Sequence, residues 1–370
     1  MLVVAASVVV AVGTVTGMIK ALDEERGANA ARPDATGATL LVPLPDVPST
    51  SVSAKASGSA SATPKKTAAP SPTKTGKKQP AAVSPRLYRH PESQVLDWVR
   101  DHPDDPRTEV IADRIADQPA AVWFADFTPS TITSRVRAVT SGAAAQDRVP
   151  VVVPYAIPER DCGGASEGGA SDFDAYDGWI DDFAAGLGSG EVVVILEPDS
   201  IAQADCLSDA QRADRFAALA RAGRVLKAAD PKARVYYDAG HSDWNPARQQ
   251  AALLKQAGAA SAASSDGIFS NVSNFHATSA EIAYDRQVLD ALGGPAGLGA
   301  VIDTSRNGNG APSDGQWCDP VGRKIGRAPT LNTGVARIDG YLWVKLPGES
   351  DGCRGAAGTF TASYAYDLAR

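Results

Sequence analysis

Val192-Val193-Val194-Ile195-Leu196-Glu197-Pro198-Asp199-Ser200 is the stretch on which the fold turns. Five apolar residues, all but one β-branched, read as a fully buried strand. The run stops at two carboxylates separated by a proline. Pro198 fixes its own φ and removes a donor, so the strand cannot simply continue. Glu197 and Asp199 therefore stand at a strand's C-terminal end, on a stiffened backbone beside an apolar core. Burial of that kind can raise a carboxyl pKa and make a general acid. Taken alone, Asp199 also has the plainer reading of a cap for a following helix.

Working outward, similar apolar runs occur at 121–124, 149–156, 235–237, 267–272, 300–302 and 341–344. Helical stretches lie between most of them, for example 210–229 and 279–292. Two further helices are expected ahead of the first strand. One covers 93–101, with Val95, Trp98 and Val99 on one face. The other covers 108–117, with Val110, Ile111 and Ile115 apolar. Seven strands alternating with helices call for an α/β fold with a parallel sheet. Over roughly 280 residues, a closed or nearly closed β/α barrel of the TIM type fits better than two separate nucleotide-binding halves. No GxGxxG follows a strand, so no dinucleotide cofactor is expected, and no other cofactor motif is present.

The chain ahead of the barrel has a different character. Residues 1–19 carry no charge and are dominated by Val and Ala, and Lys20 ends the run. That suits a secretory apolar region or a membrane span, although the usual basic residues ahead of it are missing. Ala28-Asn29-Ala30 has the form of a signal-peptidase site. Residues 1–30 are thus expected to be a signal peptide or membrane anchor, leaving the protein secreted or tethered with its main domain outside. Residues 31–86 read as a Pro/Ser/Thr/Lys-rich disordered linker. No acidic residue occurs between Asp46 and Glu92, so the linker is a basic spacer that could also contact anionic cell-wall polymers.

The formal net charge of −7 hides this asymmetry: residues 1–90 hold 11 Lys/Arg against 5 Asp/Glu, and residues 91–370 hold 25 against 38. An acidic main domain argues against a nucleic-acid partner. The four cysteines, Cys162, Cys206, Cys318 and Cys353, form no CxxC and have no histidine at zinc-ligand spacing, so no metal site is expected. An even count in an exported chain implies two disulfides with three possible connectivities. The sequential pairs are preferred, because each would tie down a loop near a candidate acid.

Those candidate acids collect where barrel chemistry belongs, after the C-terminal ends of strands. The second strand is followed by Tyr155, Arg160 and Asp161, and the third by Glu197 and Asp199. Asp238, His241 and Trp244 follow the fourth, and Asn271 and Asn274 the fifth. Asp303, Arg306 and Asn307 come after the sixth, and Lys345, Glu349 and Asp351 after the seventh. Several carboxylates with tryptophans and amides, no His/Cys cluster and no GxSxG suit a glycosidase. Aromatic rings would stack on sugar faces and amides would bond hydroxyls.

The residues at these ends resemble the motifs of glycoside hydrolase family 6. They are Tyr155-Ala156-Ile157-Pro158-Glu159-Arg160-Asp161-Cys162, Ile195-Leu196-Glu197-Pro198-Asp199-Ser200, Tyr237-Asp238-Ala239-Gly240-His241, Asn271-Val272-Ser273-Asn274-Phe275, Asp303-Thr304-Ser305-Arg306-Asn307-Gly308, Trp317-Cys318 and Trp343-Val344-Lys345-Leu346-Pro347-Gly348-Glu349-Ser350-Asp351-Gly352. The blocks fall in family order across 87–370, which is read as the catalytic domain. The resemblance implies a distorted barrel of about seven strands and an inverting cellulase. Asp199 would be the general acid, Asp161 would raise its pKa and help position water, and Asp351 matches the proposed base. Tyr155 would press on the sugar at the −1 subsite. Asp238, Lys345 and Glu349 would bind substrate there, with His241, Asn271, Asn274 and Trp317 also on the substrate side. Trp98, Trp244 and Trp343 would be stacking platforms. The family's disulfides match Cys162 with Cys206 and Cys318 with Cys353.

Other residues have structural readings. Trp123 and Trp179 read as core, Glu197 as a support bonded to backbone or to an arginine, and Arg160 as an ion-pair partner of a mouth acid. His241 reads as a hydrogen-bonding residue rather than a base, and Ser166 either as a holder of water or as a loop serine. Two departures from the family pattern stand out, Ala156 in place of a polar residue and Asp319 in place of a more usual Asn. The short 162–170 loop favours an open cleft and internal cleavage of β-1,4-glucan by a monomer. Cellobiohydrolase or mixed-linkage β-glucanase action, and a non-catalytic glucan-binding role, are the alternatives.

Overall fold

Each of the seven apolar runs between residues 121 and 344 yields a strand. They are β1 (Val122–Phe124), β2 (Val151–Pro154), β3 (Val192–Leu196), β4 (Ala233–Asp238), β5 (Gly267–Ser270), β6 (Gly299–Asp303) and β7 (Ile338–Leu342). The computed structural model describes residues 86–370, so the expected leader and nearly all of the linker lie outside the described residues. The strands form one sheet in chain order, and all six neighbouring pairs are parallel.

β1 and β7 share no ladder. They are joined by the Ala121 N–H to the Trp343 carbonyl at 2.9 Å, and by the Trp123 indole N–H to the Val344 carbonyl at 2.7 Å. The barrel is curled and nearly closed, with a seam between its first and last strands.

The all-apolar run of β3 is explained by two buried faces. Side chains alternate along a strand. Val193 and Ile195 point into the barrel with Val151, Val153, Tyr155, Tyr236, Phe269, Val301 and Leu342. Val192, Val194 and Leu196 point outward and pack against the surrounding helices, beside Trp179, Phe183 and Leu219. Neither face meets water, so neither tolerates a polar residue. At about 1.5–3 kcal/mol for each fully buried Val, Leu or Ile, the five residues make β3 a stable centre of the sheet.

The layer outside the sheet consists of α3 (Pro129–Ala144), α4 (Phe173–Ala185), α5 (Asp209–Ala229), α6 (Ala247–Gln256) and α7 (Thr278–Leu292). α5 opens with a capping box, in which the Ser208 hydroxyl accepts from the Gln211 N–H and the Gln211 side chain accepts from the Ser208 N–H. The two expected leading helices are α1 (Gln94–Asp101), with Ser93 as its cap, and α2 (Thr108–Ile111). α2 widens into a π-helical turn over Ala112–Ala116. α8 (Ala362–Ala369) closes the chain and packs with α2 and the Trp343 side of β7.

One crossover breaks the alternation. Between β6 and β7, residues 304–337 contain no helix; the first part of this long irregular segment stays beyond the end of β6, where Asn307 bridges Lys324 and the Gly326 N–H meets the Thr304 carbonyl, before the chain returns to the start of β7. A long structured connection without a helix is unusual in a compact domain and commonly functional.

Candidate active site

The strand ends form a mouth whose backbone is held in unusual conformations. Eight of the ten non-glycine residues with positive φ lie in loops beyond strands: Glu159, Asp161, Cys162, Glu197, Asp199, Asn271, Ser273 and Asp319. Such conformations cost energy and persist where surrounding contacts enforce them. At Glu197 (φ 49°) and Asp199 (φ 67°) they flank Pro198 and turn the two carboxylates in different directions.

Glu197 turns inward. Its side chain is fully buried and accepts the N–H groups of Ala156 and Ile157 at 2.9–3.1 Å, tying the end of β2 to the end of β3. Burial pushes its carboxyl up to about 7, against the pull of those N–H donors. Asp199 instead reaches the mouth and is partly exposed. Burial raises its pKa well above the usual Asp range, and the neighbouring Asp238 and Asp161 raise it further, opposed by Lys345. Asp238 uses one oxygen to accept from Ile201 and Ala202 N–H at 3.0 and 2.8 Å, and the other to accept from Gly240 N–H at 2.9 Å. It thereby fixes the loop that carries Asp199.

Asp161 sits on a left-handed turn and accepts the Ser166 N–H at 2.7 Å. A Cβ on Gly164 would come within 2.5 Å of the Asp161 carboxylate, so only glycine lets the loop close over it. The Cys162–Cys206 disulfide, with Cα atoms 6.1 Å apart, ties this loop to the segment after Asp199. Tyr155 is buried beside it, its hydroxyl pKa raised by burial and then by Asp199 and Asp161. Arg160 lies 4.4 Å over the Tyr155 ring and donates to the carbonyls of Ala125, Tyr155 and Ser166. The ion pair expected for Arg160 is replaced by these loop carbonyls. Ser166 contributes its N–H to Asp161 and its carbonyl to Arg160.

Across the mouth, Asp351 is surrounded by cations and donors. The fully buried Arg306 bonds it at 2.8 Å, Lys345 Nζ lies 3.5 Å away, and the Asp319 N–H donates to it at 3.1 Å. Asp319 accepts in turn from Asp351 N–H, the Ser350 hydroxyl, Cys353 N–H and Arg354 N–H, at 2.6–3.0 Å. Burial alone would raise the Asp319 carboxyl, but these donors hold it below the usual Asp value. The second disulfide, Cys318–Cys353 with Cα atoms 5.8 Å apart, fastens both ends of this knot. Both cysteine pairs are therefore the sequential ones. Asp303 links three strand ends by accepting from Ser273, Ser305 and Lys345 N–H groups. Lys345 Nζ also donates to the Ser350 carbonyl at 3.1 Å. Glu349 stands near Lys345 and Arg306; burial lifts it to about 7 against their attraction, with Asp351 adding to the rise.

The remaining expected site residues divide sharply. His241 and His276 stack with centroids 4.1 Å apart, and Trp244 leans on His241 at 5.1 Å. Burial lowers His241 to about 3, His276 adds to that, and the ring is a neutral acceptor of the Asp243 N–H. Asn271 spends its amide on His276 and on the Asp303 carbonyl, and Asn274 donates to Val272. Trp317 is 60% exposed beside Cys318.

Trp98 and Trp343 are not brought to the mouth. Trp98 stacks on His102 at 4.9 Å, with Arg107 at 5.5 Å. Trp343 is 2% exposed, donates to the Arg327 carbonyl and belongs to the cluster with Val95, Ile111 and Ala365. Strand alternation sends Trp343 outward, whereas the expectation for it rested on its neighbours in sequence. Trp179 is buried core as expected.

Trp123 is the reverse case. It projects from β1 to the inner side, stands edge-on to Tyr155 at 5.2 Å and stays partly exposed. Its place at the C-terminal end of the first strand was the signal that could have marked it. Arg306 and Asp319 were also outside the expected set of site residues, although both lie in the quoted motifs or beside them.

A parallel β/α barrel with carboxylates converging from different strand ends, one raised in pKa and another held by cations, defines a glycosidase-type site. The comparisons with known proteins narrow this. The sequence model for glycosyl hydrolases family 6 matches residues 78–369. Endoglucanase 1 of Streptomyces sp. (strain KSM-9) is 52% identical over 290 residues, covering 78% of this chain and 79% of that one. Endoglucanase A of Thermobispora bispora is 48% identical over 284 residues, 76% of this chain and 61% of its own length. Among solved structures, the endoglucanase Cel6 from Mycobacterium tuberculosis, in complex with methyl-cellobiosyl-4-deoxy-4-thio-β-D-cellobioside, superposes with a TM-score of 0.71. It is 41% identical, with 78% of this chain and 97% of that one covered. The chain belongs to glycosyl hydrolase family 6.

Proposed function

We propose that the protein is an endo-β-1,4-glucanase that hydrolyses internal bonds of cellulose or a related β-glucan with inversion. The observation that carries this reading is the opposition of Asp199 and Asp351. Asp199 has its pKa raised by burial and by two neighbouring carboxylates, the state of a general acid poised to protonate a glycosidic oxygen. Asp351 is held by Arg306 and Lys345 on a different strand end, so it can draw a proton from a water on the opposite face of the sugar. An inverting reaction needs room for water between base and ring, with the two carboxyl groups roughly 6.5–9.5 Å apart. Asp161 keeps Asp199 protonated and, with Ser166 beside it, orders the water. Tyr155 presses on the sugar at the bond to be cut, and Trp123 and Trp244 offer aromatic faces at the partly exposed edge.

Internal cleavage is supported by the names of the more similar relatives and by the loop after β2. That loop folds back on itself through the Arg160–Gly168 bridge, where a tunnel roof would need longer arms. Export, through the uncharged residues 1–19, goes with an extracellular polymer as substrate; among the described residues no helix is long and apolar enough to cross a membrane. The protein acts as a monomer on this reading.

NMR of the first anomer released from cellotetraose by the full chain tests the stereochemistry, with an α-anomer expected and an initial β-anomer overturning the inverting assignment. Viscosity of carboxymethyl cellulose tests the mode of attack. Endo action lowers viscosity far ahead of reducing-end release; parallel changes would favour a cellobiohydrolase.

A further inference from the structure

At the N-terminal end of the barrel, away from the mouth, Arg86, Arg89 and Arg148 line a cavity of about 710 Å³. Its walls come from segments that precede β1, β2 and β7, and Asp117 is the one carboxylate among the residues that line it. Arg86 and Arg148 are brought side by side by the backbone. Leu87 and Val149 form a parallel bridge, fixed by Val149 N–H to the Arg86 carbonyl at 2.9 Å and Tyr88 N–H to the Val149 carbonyl at 2.8 Å. The residues just before them are therefore neighbours in register, and both are arginine. Like charges in paired positions repel. Among the described residues none of the three arginines makes an ion pair. Arg89 is oriented by one bond to the Ala116 carbonyl at 3.3 Å, which leaves most of its donors free.

This concentration of positive charge lies on a domain whose residues 91–370 are acidic in sum. Guanidinium groups match phosphate and carboxylate oxygens with paired donors. We infer that the cavity is a second binding site, for a multivalent oxyanion bearing phosphate or carboxylate groups, at the pole opposite the glucan mouth. The anion relieves the Arg86–Arg148 repulsion, and no group of the catalytic mouth takes part.

The test is calorimetric titration of the full chain with inorganic phosphate and, separately, citrate, each against sodium chloride of matched ionic strength. Saturable binding of at least one probe is expected, and which probe binds tells phosphate from carboxylate chemistry. The double variant R86Q/R148Q is expected to bind at least about tenfold more weakly, the loss of two charge-assisted contacts, with hydrolysis of soluble glucan unchanged. The exposed single variant R86Q gives a smaller loss of the same sign and covers the case in which the double variant folds poorly. R148K, which keeps charge but not the planar fork, falls between. No saturable binding beyond the salt control overturns the inference, as does binding undiminished in R86Q and R86Q/R148Q.

Discussion

The two halves of the mouth are built alike and electrostatically opposed. On the β2–β3 side and on the β6–β7 side alike, a carboxylate stands beyond a strand end, backed by a buried acid that accepts backbone N–H groups and closed by a disulfide. Around Asp199 the nearest charges are other carboxylates, and its proton is held. Around Asp351 the nearest charges are the cations Arg306 and Lys345, at 2.8 and 3.5 Å. The same residue type thus meets opposite electrostatic surroundings beyond two strand ends. The lesson is that neighbours, and not the acids themselves, set the electrostatics of each carboxyl group.

Removing either role breaks the comparison outright. Asp199→Asn should lower kcat on cellulose oligomers by about 10²–10⁴-fold, with melting temperature nearly unchanged. Next in size is Arg306→Met, which strands the buried side of Asp351. Loss of one partner from a buried ion pair costs about 3–5 kcal/mol, so both thermal stability and turnover should drop.

Disulfide removal sharpens the contrast. The two bridges span similar separations, 44 and 35 residues. Cys162→Ser with Cys206→Ser, and Cys318→Ser with Cys353→Ser, should each cost about 2–4 kcal/mol in denaturant titrations. Their kinetic effects should differ. The first pair loosens Asp161 and moves the pH profile; the second loosens Asp351 and lowers kcat across all pH values.

A smaller effect is expected from Asp161→Asn. Taking one negative charge away from Asp199 lets it ionise sooner, so the basic limb of the kcat/KM profile should move to lower pH by up to about one unit. An unmoved limb would mean that Asp161 is not electrostatically coupled to the acid.

Stability should respond to pH with opposite signs in the two halves. The folded pKa of Glu197, about 7, exceeds the ordinary Glu value. Its contribution is therefore fully present below the unfolded pKa and is lost as pH rises through the folded value of about 7. The folded pKa of Asp319 is depressed. Its contribution is present above the ordinary Asp value and is lost as pH falls through the folded pKa. Melting curves of Glu197→Gln should flatten on the neutral side, and those of Asp319→Asn on the acid side.

What could be read from sequence follows the same division. Apolar runs located all seven strands, because residues buried on two faces leave no room for polar ones. Motif order located Asp161, Asp199 and Asp351. What stayed hidden was direction. Trp343 and Trp123 both lie at strand ends, and the pleat sends one outward under α8 and the other inward to Tyr155. Asp238 and Glu197 resemble catalytic acids in sequence, yet spend their oxygens on backbone donors that only the folded loops supply. Arg306 pairs with Asp351 across 45 residues, a contact that no local pattern encodes.

The division of labour between Asp199 and Asp351 is tested most directly with a leaving group that needs no acid. Asp199→Ala and Asp351→Ala would each be assayed on cellotetraose and on dinitrophenyl β-cellobioside. Protonation of the departing oxygen is dispensable for dinitrophenolate, so the Asp199→Ala loss should be at least about tenfold smaller on the activated substrate. The Asp351→Ala loss should be the same on both. Equal losses on the two substrates for Asp199→Ala would contradict its assignment as the general acid.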